Sequence, residues 1–532
     1  MKRQLLLFLV YLSCLSSDAF SQSDQSPQLE TRLSSAFPIE MPELYAYPLY
    51  ASVRNEPDSV TISSLTFSIQ GEIRNAEKIG DGGYRLWWIP GQYGTFEIIT
   101  RAEATNGKVS SDTVILEVTT PVANRQVTTF SGALINFPDP GRVVTSNFSL
   151  PQFTGSYSKI TGSFSVTCPS ISGGCDDWDR LAHVEILAPN GQWVEIIRYI
   201  TPYGIGCDHT IDLTDYASLL QGNVTMRVRI DTWGTGGWNV NLDLEYEKGT
   251  PDFIYTTVDR IWQGSFPFGN FSNLDPVPDQ NVTWRANTER AVLKLVTTGH
   301  GWGENNTSNA AEFYQSANFL YTDGALKSAH FFWTNCNPNP DGCQPQFGTW
   351  QFSRAGWCPG AIGTLKEFDL TDLSAQGSTL LEYRFNPGYR DFCHPNNPDC
   401  VSGFTCPNCD DGFNPFYSIS ANLITSSNSS PIESVVSAEI PADRVDPSLR
   451  LEVFPSPSTG LVRLSVNSNL NAGSYLVTIW NISGMLVGTY PFNSPNALND
   501  YEFKLGHLEK GMYFVRVESP DGREGTAKVI LQ

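Results

Sequence analysis

The chain has 532 residues, of which 55 are acidic and 34 basic, for a net charge of −21. So acidic a surface argues against nucleic acid or an anionic membrane as its partner, and the length exceeds what one hydrophobic core organises, so several domains are expected.

Met1-Lys2-Arg3, the apolar run Leu5 to Leu12 and the small-residue end Ala19-Phe20-Ser21 read as a secretory signal over residues 1–21, with the mature chain starting near Gln22. Cys14 could mark a lipoprotein site, but Tyr11 stands where a small aliphatic is expected. Export leaves ten of the eleven cysteines in an oxidising setting where disulfides are the default. No other stretch is long and apolar enough to cross a bilayer, so no membrane-spanning segment is expected in the mature chain.

Residues 22–121 alternate β-formers, as in Ser59 to Ile69 and Phe96 to Ile99, with no long helical period. The turn from Trp88 to Phe96 resembles that of bacterial immunoglobulin- or cadherin-like modules, which implies a spacer or binding module. Its aromatics Tyr45, Tyr47, Tyr50, Trp87 and Trp88 could form a sugar platform but fit the core of a small sandwich better.

Strands dominate again from 126 to 427. Val224, Met226, Val228 and Ile230 alternate with Thr225, Arg227, Arg229 and Asp231, so the pleat sends the first set to a core and the second to the opposite face. The next strand repeats this with Val240, Leu242, Leu244 and Tyr246 inside. Ile211-Asp212-Leu213-Thr214-Asp215-Tyr216 is echoed by Phe368-Asp369-Leu370-Thr371-Asp372-Leu373, and each leads through a turn to a strand, so two related sandwiches in tandem are expected, over 126–248 and 249–427. Residues 428–448 have a linker's composition, and 449–532 return to short strands.

Two carboxylates stand out, Asp179 in Cys175-Asp176-Asp177-Trp178-Asp179-Arg180 and Glu312 in Ala310-Ala311-Glu312, downstream of Gly301-Trp302-Gly303. A hydrolase acting on an unactivated amide or glycosidic bond needs one carboxylate to activate water and another to assist the leaving side. Neighbouring tryptophans suit a sugar. On residue type and spacing alone, an Asp beside an Arg reads rather as a structural ion pair.

Longer stretches shift that balance. The Trp-Asp-Arg segment, Ile200-Thr201-Pro202-Tyr203, Ile211 to Tyr216 with Asp231-Thr232-Trp233, Gly249 to Phe253, Gly301 to Gly303 with Ala310 to Glu312, and Arg354 to Gly360 resemble, in order, the bacterial peptide:N-glycosidase F family over about 126–427. The resemblance implies an all-β fold with two side-by-side jelly-roll sandwiches and a site between them, preceded here by the immunoglobulin-like sandwich. It implies a secreted amidase that releases N-glycans from an N-glycoprotein or N-glycopeptide. Asp179, Glu312 and Asp231 would be its catalytic acids, and Arg180, Arg354, Trp178, Trp233 and Trp302 its substrate-binding residues. Asp231 replaces the family's glutamate with a shorter arm. The alternative is a non-catalytic N-glycan-binding surface protein on the same scaffold.

The family also implies the bridges Cys168–Cys175 and Cys336–Cys358; Cys207 and Cys343 are left over, and their pairing, with each other or with one of the four cysteines further on, stays open. A further bridge flanking the family's glutamate is absent, with Ala310 and Tyr314 in its place, so the Glu312 loop is expected to be held by packing alone. Cys393, Cys400, Cys406 and Cys409 lie in an insertion, where two disulfides are favoured over zinc. The six histidines show no His-x-His or HExxH spacing, so neither metal nor cofactor is expected. Residues 449–532, with Pro455-Ser456-Pro457 for the usual Pro-Asn-Pro, resemble the type IX secretion C-terminal sorting domain. That resemblance implies the type IX machinery as a partner, passage through the periplasm and a final place outside a Gram-negative cell.

Overall fold

The computed structural model describes residues 26–54, 61–80, 82–301, 307–394, 397 and 415–429, and in the tail 451–454, 458–466, 475–481, 486–492, 502–508, 510–518 and 524–532. The expected signal, residues 1–21, and most of the linker lie outside them. The chain forms two compact units, residues 1–434 and 435–532, and both are built from β-strands.

Within the larger unit the first sandwich-like layer pair uses Gln28–Thr31, Tyr47–Arg54, Gly83–Trp88 and Glu77–Lys78 on one side. On the other are Ile39–Glu40, Val109–Thr119, Gly94–Ala104, Ile62–Ile69 and Glu72–Asn75. Tyr47 and Trp88 are buried in its core with Phe67, Phe96 and Ile98, as the alternation suggested. Of the other aromatics, Trp87 lies edge-on to Tyr255 and Tyr45 stacks on Phe153. Glu40 accepts from Tyr157 Oη at 2.8 Å and from Arg125 Nε at 3.1 Å, Tyr47 Oη donates to Gln152 Oε1 at 2.9 Å, and Asn223 N donates to Arg32 O at 2.8 Å. This module is therefore bonded to its neighbour through backbone and buried polar side chains.

The next sandwich faces the sheet Arg125–Asn136, Gly237–Lys248, Tyr157–Thr167 and Cys207–Asp212 against Val143–Ser149, Asn223–Ile230, Leu181–Leu187 and Trp193–Ile200. Val224, Met226, Val228, Ile230, Val240, Leu242, Leu244 and Tyr246 all lie in its core. A third layer pair combines Tyr255–Pro267, Phe416–Ser427, Arg290–His300 and Leu365–Asp369 with Gln280–Thr283, Ser378–Arg384, Ala317–Thr322 and Ala325–Phe331. The sequence echo has a structural cause: Thr214 Oγ1 accepts from Ile160 N and Thr371 Oγ1 from Ala291 N, each at 3.0 Å, while Leu213 N and Leu370 N return bonds to the same two residues. Asp212 and Asp369 each accept from the backbone N–H two residues on, and a 3₁₀ turn follows in both. One motif thus pins the same crossover twice.

The two sandwiches meet across a buried polar seam. Phe416–Ser427 is buried on both faces because Tyr417, Ile419, Ala421 and Leu423 fill its own core while Ser418, Ser420 and Asn422 point the other way. There Arg198 Nη1 donates to Thr298 Oγ1 at 2.8 Å and to Ser418 O at 3.1 Å, and Asn422 Nδ2 donates to Glu195 O at 2.9 Å. Burial pushes the Glu195 carboxyl up, but Arg198 and His183 outweigh it and hold it at about 2. The short strand Ala361–Ile362 also crosses over and pairs with Trp193–Ile200, and Cys207–Cys343 bridges the two halves.

In the tail, Leu451–Phe454, Leu461–Val466 and Glu502–Lys504 form one sheet, and Leu486–Phe492, Tyr475–Asn481, Gly511–Glu518 and Glu524–Leu531 another. They enclose a core of Val462, Leu464, Val477, Ile479, Phe503, Val515 and Val529.

Candidate active site

Four loops at one end of the two sandwiches carry the site. Asp179 lies in the segment preceding Leu181–Leu187, Tyr203 just after Trp193–Ile200, Glu312 in a turn before Ala317–Thr322, and Arg354 opens the two-residue strand Arg354–Ala355. The Asp179 segment is fixed at several points. Cys168–Cys175 closes the loop before it, Asp176 N bonds to Gly237 O, Gly204 N to Asp176 O, and Thr201 Oγ1 accepts from Arg180 N and donates to Trp178 O. Gly236 is required here, since a Cβ would lie 2.4 Å from Cys175 O.

At the centre is Arg354, whose side chain is 0% exposed while those of Asp179 and Glu312 are 15% and 19% exposed. Its Nε donates to Glu312 Oε1 at 2.9 Å, and its Nη2 reaches Asp179 Oδ2 at 3.4 Å and Tyr203 Oη at 3.1 Å. Its Nη1 is held by the carbonyls of Phe352 at 2.6 Å and Thr349 at 3.3 Å. Tyr203 Oη in turn donates to Asp179 Oδ2 at 2.6 Å. One buried cation thus serves two carboxylates, which leaves one negative charge unmatched.

That imbalance sets the proton. Burial raises the affinity of both carboxyls. Asp179 is drawn back by Arg354, by the Tyr203 hydroxyl, by its own backbone N–H and by Arg180. Glu312 also feels the Asp179 charge, which together with burial overcomes Arg354 and pushes it up to about 7. The arrangement favours an ionised Asp179 beside a protonated Glu312, the unequal pair that general base and general acid require.

The other expected residues lie apart from this cluster. Arg180 turns from Asp179 and forms a two-point pair with buried Asp176 at 2.8 and 3.2 Å. Asp231 bonds to Arg229, two residues back on the same face, at 2.8 and 3.0 Å. Among the described residues it has no hydrogen bond to Asp179, Glu312 or Arg354. Its backbone N–H still bonds to Leu181 O, so it borders the Asp179 loop. Trp178 and Trp233 are each 61% exposed, and Trp233 lies over the Arg142 guanidinium at 3.3 Å, with Phe137 also within 4.4 Å of that cation. Trp302 lies outside the described residues. Tyr203 and Thr349 were not singled out from sequence, although Tyr203 closes one of the six family-like segments.

The Glu312 loop is held by more than packing. Ala310 and Ala311 are fully buried, Ala311 N bonds to Gly301 O, and Ala355 N bonds to Glu312 O at 2.8 Å. Cys168–Cys175, Cys336–Cys358 and Cys207–Cys343 are all bridged. Cys393 is also in a disulfide, while Cys400, Cys406 and Cys409 lie outside the described residues. Among the described residues no three His, Cys, Asp or Glu side chains are grouped to hold a metal ion.

The halves of a double β-sandwich thus meet at a pair of acids bridged by one arginine. Residues 271–404 match the family described as peptide-N-glycosidase F, C terminal, and residues 452–532 the secretion system C-terminal sorting domain. Over 241 residues the chain is 34% identical to the peptide-N(4)-(N-acetyl-beta-D-glucosaminyl)asparagine amidase F of Elizabethkingia miricola, a match covering 41% of this chain and 65% of that relative, just under two thirds. The solved structure of recombinant peptide:N-glycanase F superposes with a TM-score of 0.50 at 27% identity, covering 57% of this chain and 96% of that one. The structure of the enzyme described as a glycosylasparaginase from Flavobacterium meningosepticum gives the same TM-score and identity over 58% and 97%. Over these stretches the chain is similar to peptide:N-glycosidase F, and its tail marks it as a secreted or cell-surface protein of a Gram-negative bacterium.

Proposed function

We propose that this protein hydrolyses the amide joining an asparagine side chain to the first N-acetylglucosamine of an N-linked glycan, leaving aspartate in the polypeptide and releasing the intact glycan as a glycosylamine. The observation that carries the reading is the pair of buried carboxylates of unequal proton affinity on Arg354. Tyr203 and Arg354 both engage Asp179 Oδ2, and Oδ1 takes the proton of the attacking water as its oxygen bonds to the amide carbon. Glu312 delivers its proton to the amide nitrogen as the C–N bond breaks. The proton then sits on the opposite carboxyl, and exchange with solvent resets the pair. Arg354 keeps its charge beside the oxygen that becomes negative in between. The scheme calls on no metal or cofactor. Trp178, Trp233, Trp302, Arg180 and Asp231 are assigned to the sugar, and the tail to export through the type IX machinery.

Mass spectrometry of a defined N-glycopeptide incubated with the protein tests this, beside an Asp179→Asn control. Conversion of asparagine to aspartate with loss of the whole glycan, absent in the control, is the expected result. A single N-acetylglucosamine left on the peptide would mean a glycosidase, and retention of uncut glycopeptide on the protein would mean a binding protein.

A further inference from the structure

The loop that delivers Arg354 also displays two bare aromatic rings. Phe347 is 71% exposed and Phe352 54% exposed, yet the segment carrying them is among the most heavily tied in the unit. Cys336–Cys358 spans it and Cys207–Cys343 anchors its start to the sandwich of residues 125–248, the first of the two that meet at the site. Gln346 accepts from Tyr203 N at 3.0 Å and donates to the carbonyls of Cys343 and Pro359, each at 2.7 Å. The carbonyls of Thr349 and Phe352 grip Arg354. Gly348, at φ 64, lets the loop press on the Tyr203 ring, where a Cβ would lie 2.9 Å away.

Phenyl rings held this exposed on a fixed backbone mark a contact surface. Their place is set by what they adjoin. The Phe347 ring lies 3.2 Å from the Cβ position of Gly204, a position that also lies 3.7 Å from an Asp177 oxygen. Phe347 therefore borders the Asp179 and Tyr203 loops, while Phe352, whose carbonyl grips Arg354, lies five residues further on in the same segment of the second half. The indoles Trp178 and Trp233 belong to the first sandwich. The scissile amide has a sugar on one side and a polypeptide on the other, so a site for it needs two unlike surfaces. Sugars favour indole faces backed by polar partners, and the first sandwich supplies these in Trp233 over Arg142 and in Asp231. Two phenyl rings have no polar atom to offer a hydroxyl-rich ligand, and they match the apolar side chains of an extended peptide.

We propose that Phe347 and Phe352 form a platform for the polypeptide flanking the glycosylated asparagine, so that the site reads apolar peptide side chains as well as sugar. This rests on the amidase reading for its substrate class but is measured independently of turnover. Three probes carry one glycan: an asparagine flanked by leucine and phenylalanine, the same peptide flanked by glycine and serine, and the glycosylated asparagine alone. Their binding to the Asp179→Asn protein is measured by calorimetry, with and without Phe347→Ser and Phe352→Ser. The apolar-flanked probe is expected to bind about tenfold more tightly than the glycosylated asparagine, and the ratio is expected to fall to near one in the double variant. Both single variants are measured, with circular dichroism melts, so that a misfolded double variant is recognised and the singles decide. A ratio near one in the parent, or a ratio unchanged by the substitutions, overturns the platform. Cleavage of the same probes by the unsubstituted protein is scored separately: if none is cut, the amidase reading fails while the binding ratio still judges the platform.

Discussion

Replacing Tyr203 by phenylalanine tests the electrostatic argument at its tightest contact. The hydroxyl donates to Asp179 Oδ2 at 2.6 Å, a charge-assisted bond across a site where the carboxylate is only 15% exposed and solvent screens little. Such bonds contribute about 1.5–3 kcal/mol net, and losing this one raises the proton affinity of Asp179. The ring stays: it is buried and packed against Gly348, and phenylalanine fills the same space. Arg354 Nη2 keeps Asp179 Oδ2 and Thr349 Oγ1, each at 3.4 Å. The donor stabilises the ionised acid, so deleting it shifts the proton towards Asp179, and the limb on which activity is lost as pH falls moves to higher pH. Initial rates of N-glycopeptide cleavage across pH 4.5 to 9 give kcat/KM for both proteins, and melting curves check the fold. A uniform fall in rate with the acid limb unmoved would refute the reasoning and reduce Tyr203 to a spacer.

Glu312→Gln is expected to abolish the alkaline limb near pH 7, where the native carboxyl gives up the proton that burial and Asp179 hold on it, with a loss of about 10²–10⁴ in kcat below that pH; the two limbs belong to the pair jointly, and a persisting alkaline limb counts against the assignment. Arg354→Met leaves both acids without their buried cation and is expected to destabilise the fold by about 3–5 kcal/mol, read as a lowered midpoint in urea. Asp231→Asn is expected to raise KM with little change in kcat, because its carboxylate is engaged by Arg229 and makes no bond to the Arg354 cluster; a hundredfold loss in kcat would return it to the chemistry. Acid should destabilise the protein through His300 and His330, both held neutral with pKa values lowered to about 3, first by burial and then by nearby cations. The unfolded chain takes these protons near pH 6.5, so the stability is whole above 6.5 and declines as pH falls towards 3, at up to about 1.4 kcal/mol per pH unit for each histidine. Urea midpoints at pH 7.5 and 5.5, with His300→Gln as comparison, measure the slope.

The strands were legible wherever one face meets a core and the other does not, and Val224 to Ile230 is the clearest case. The same alternation already placed Arg229 and Asp231 on one face two residues apart, which is the geometry of their ion pair. Phe416–Ser427 hid its role for the opposite reason. It is buried on both faces, and its serines and Asn422 look like a solvent-facing set until the second sandwich covers them. Arg180 follows the same logic, since its partner Asp176 is four residues away and the nearer Asp179 is not chosen. The Arg354 cluster itself joins residues 24, 42, 151 and 175 positions apart, so no local pattern could announce that Tyr203, Glu312 and Asp179 converge on Arg354. What the sequence did contain was each fragment around those residues, and the unequal protonation of the acids emerges only when the fold makes them share one buried cation. Arg354→Lys isolates that step. A lysine keeps the charge but, as a point donor, cannot bind Glu312, Asp179 and the Phe352 carbonyl in a fixed fork. If shared charge alone sets the proton, the pH profile survives with a reduced rate; if the fork's geometry sets it, both limbs shift, and a profile unchanged in shape and height would show that Arg354 does neither.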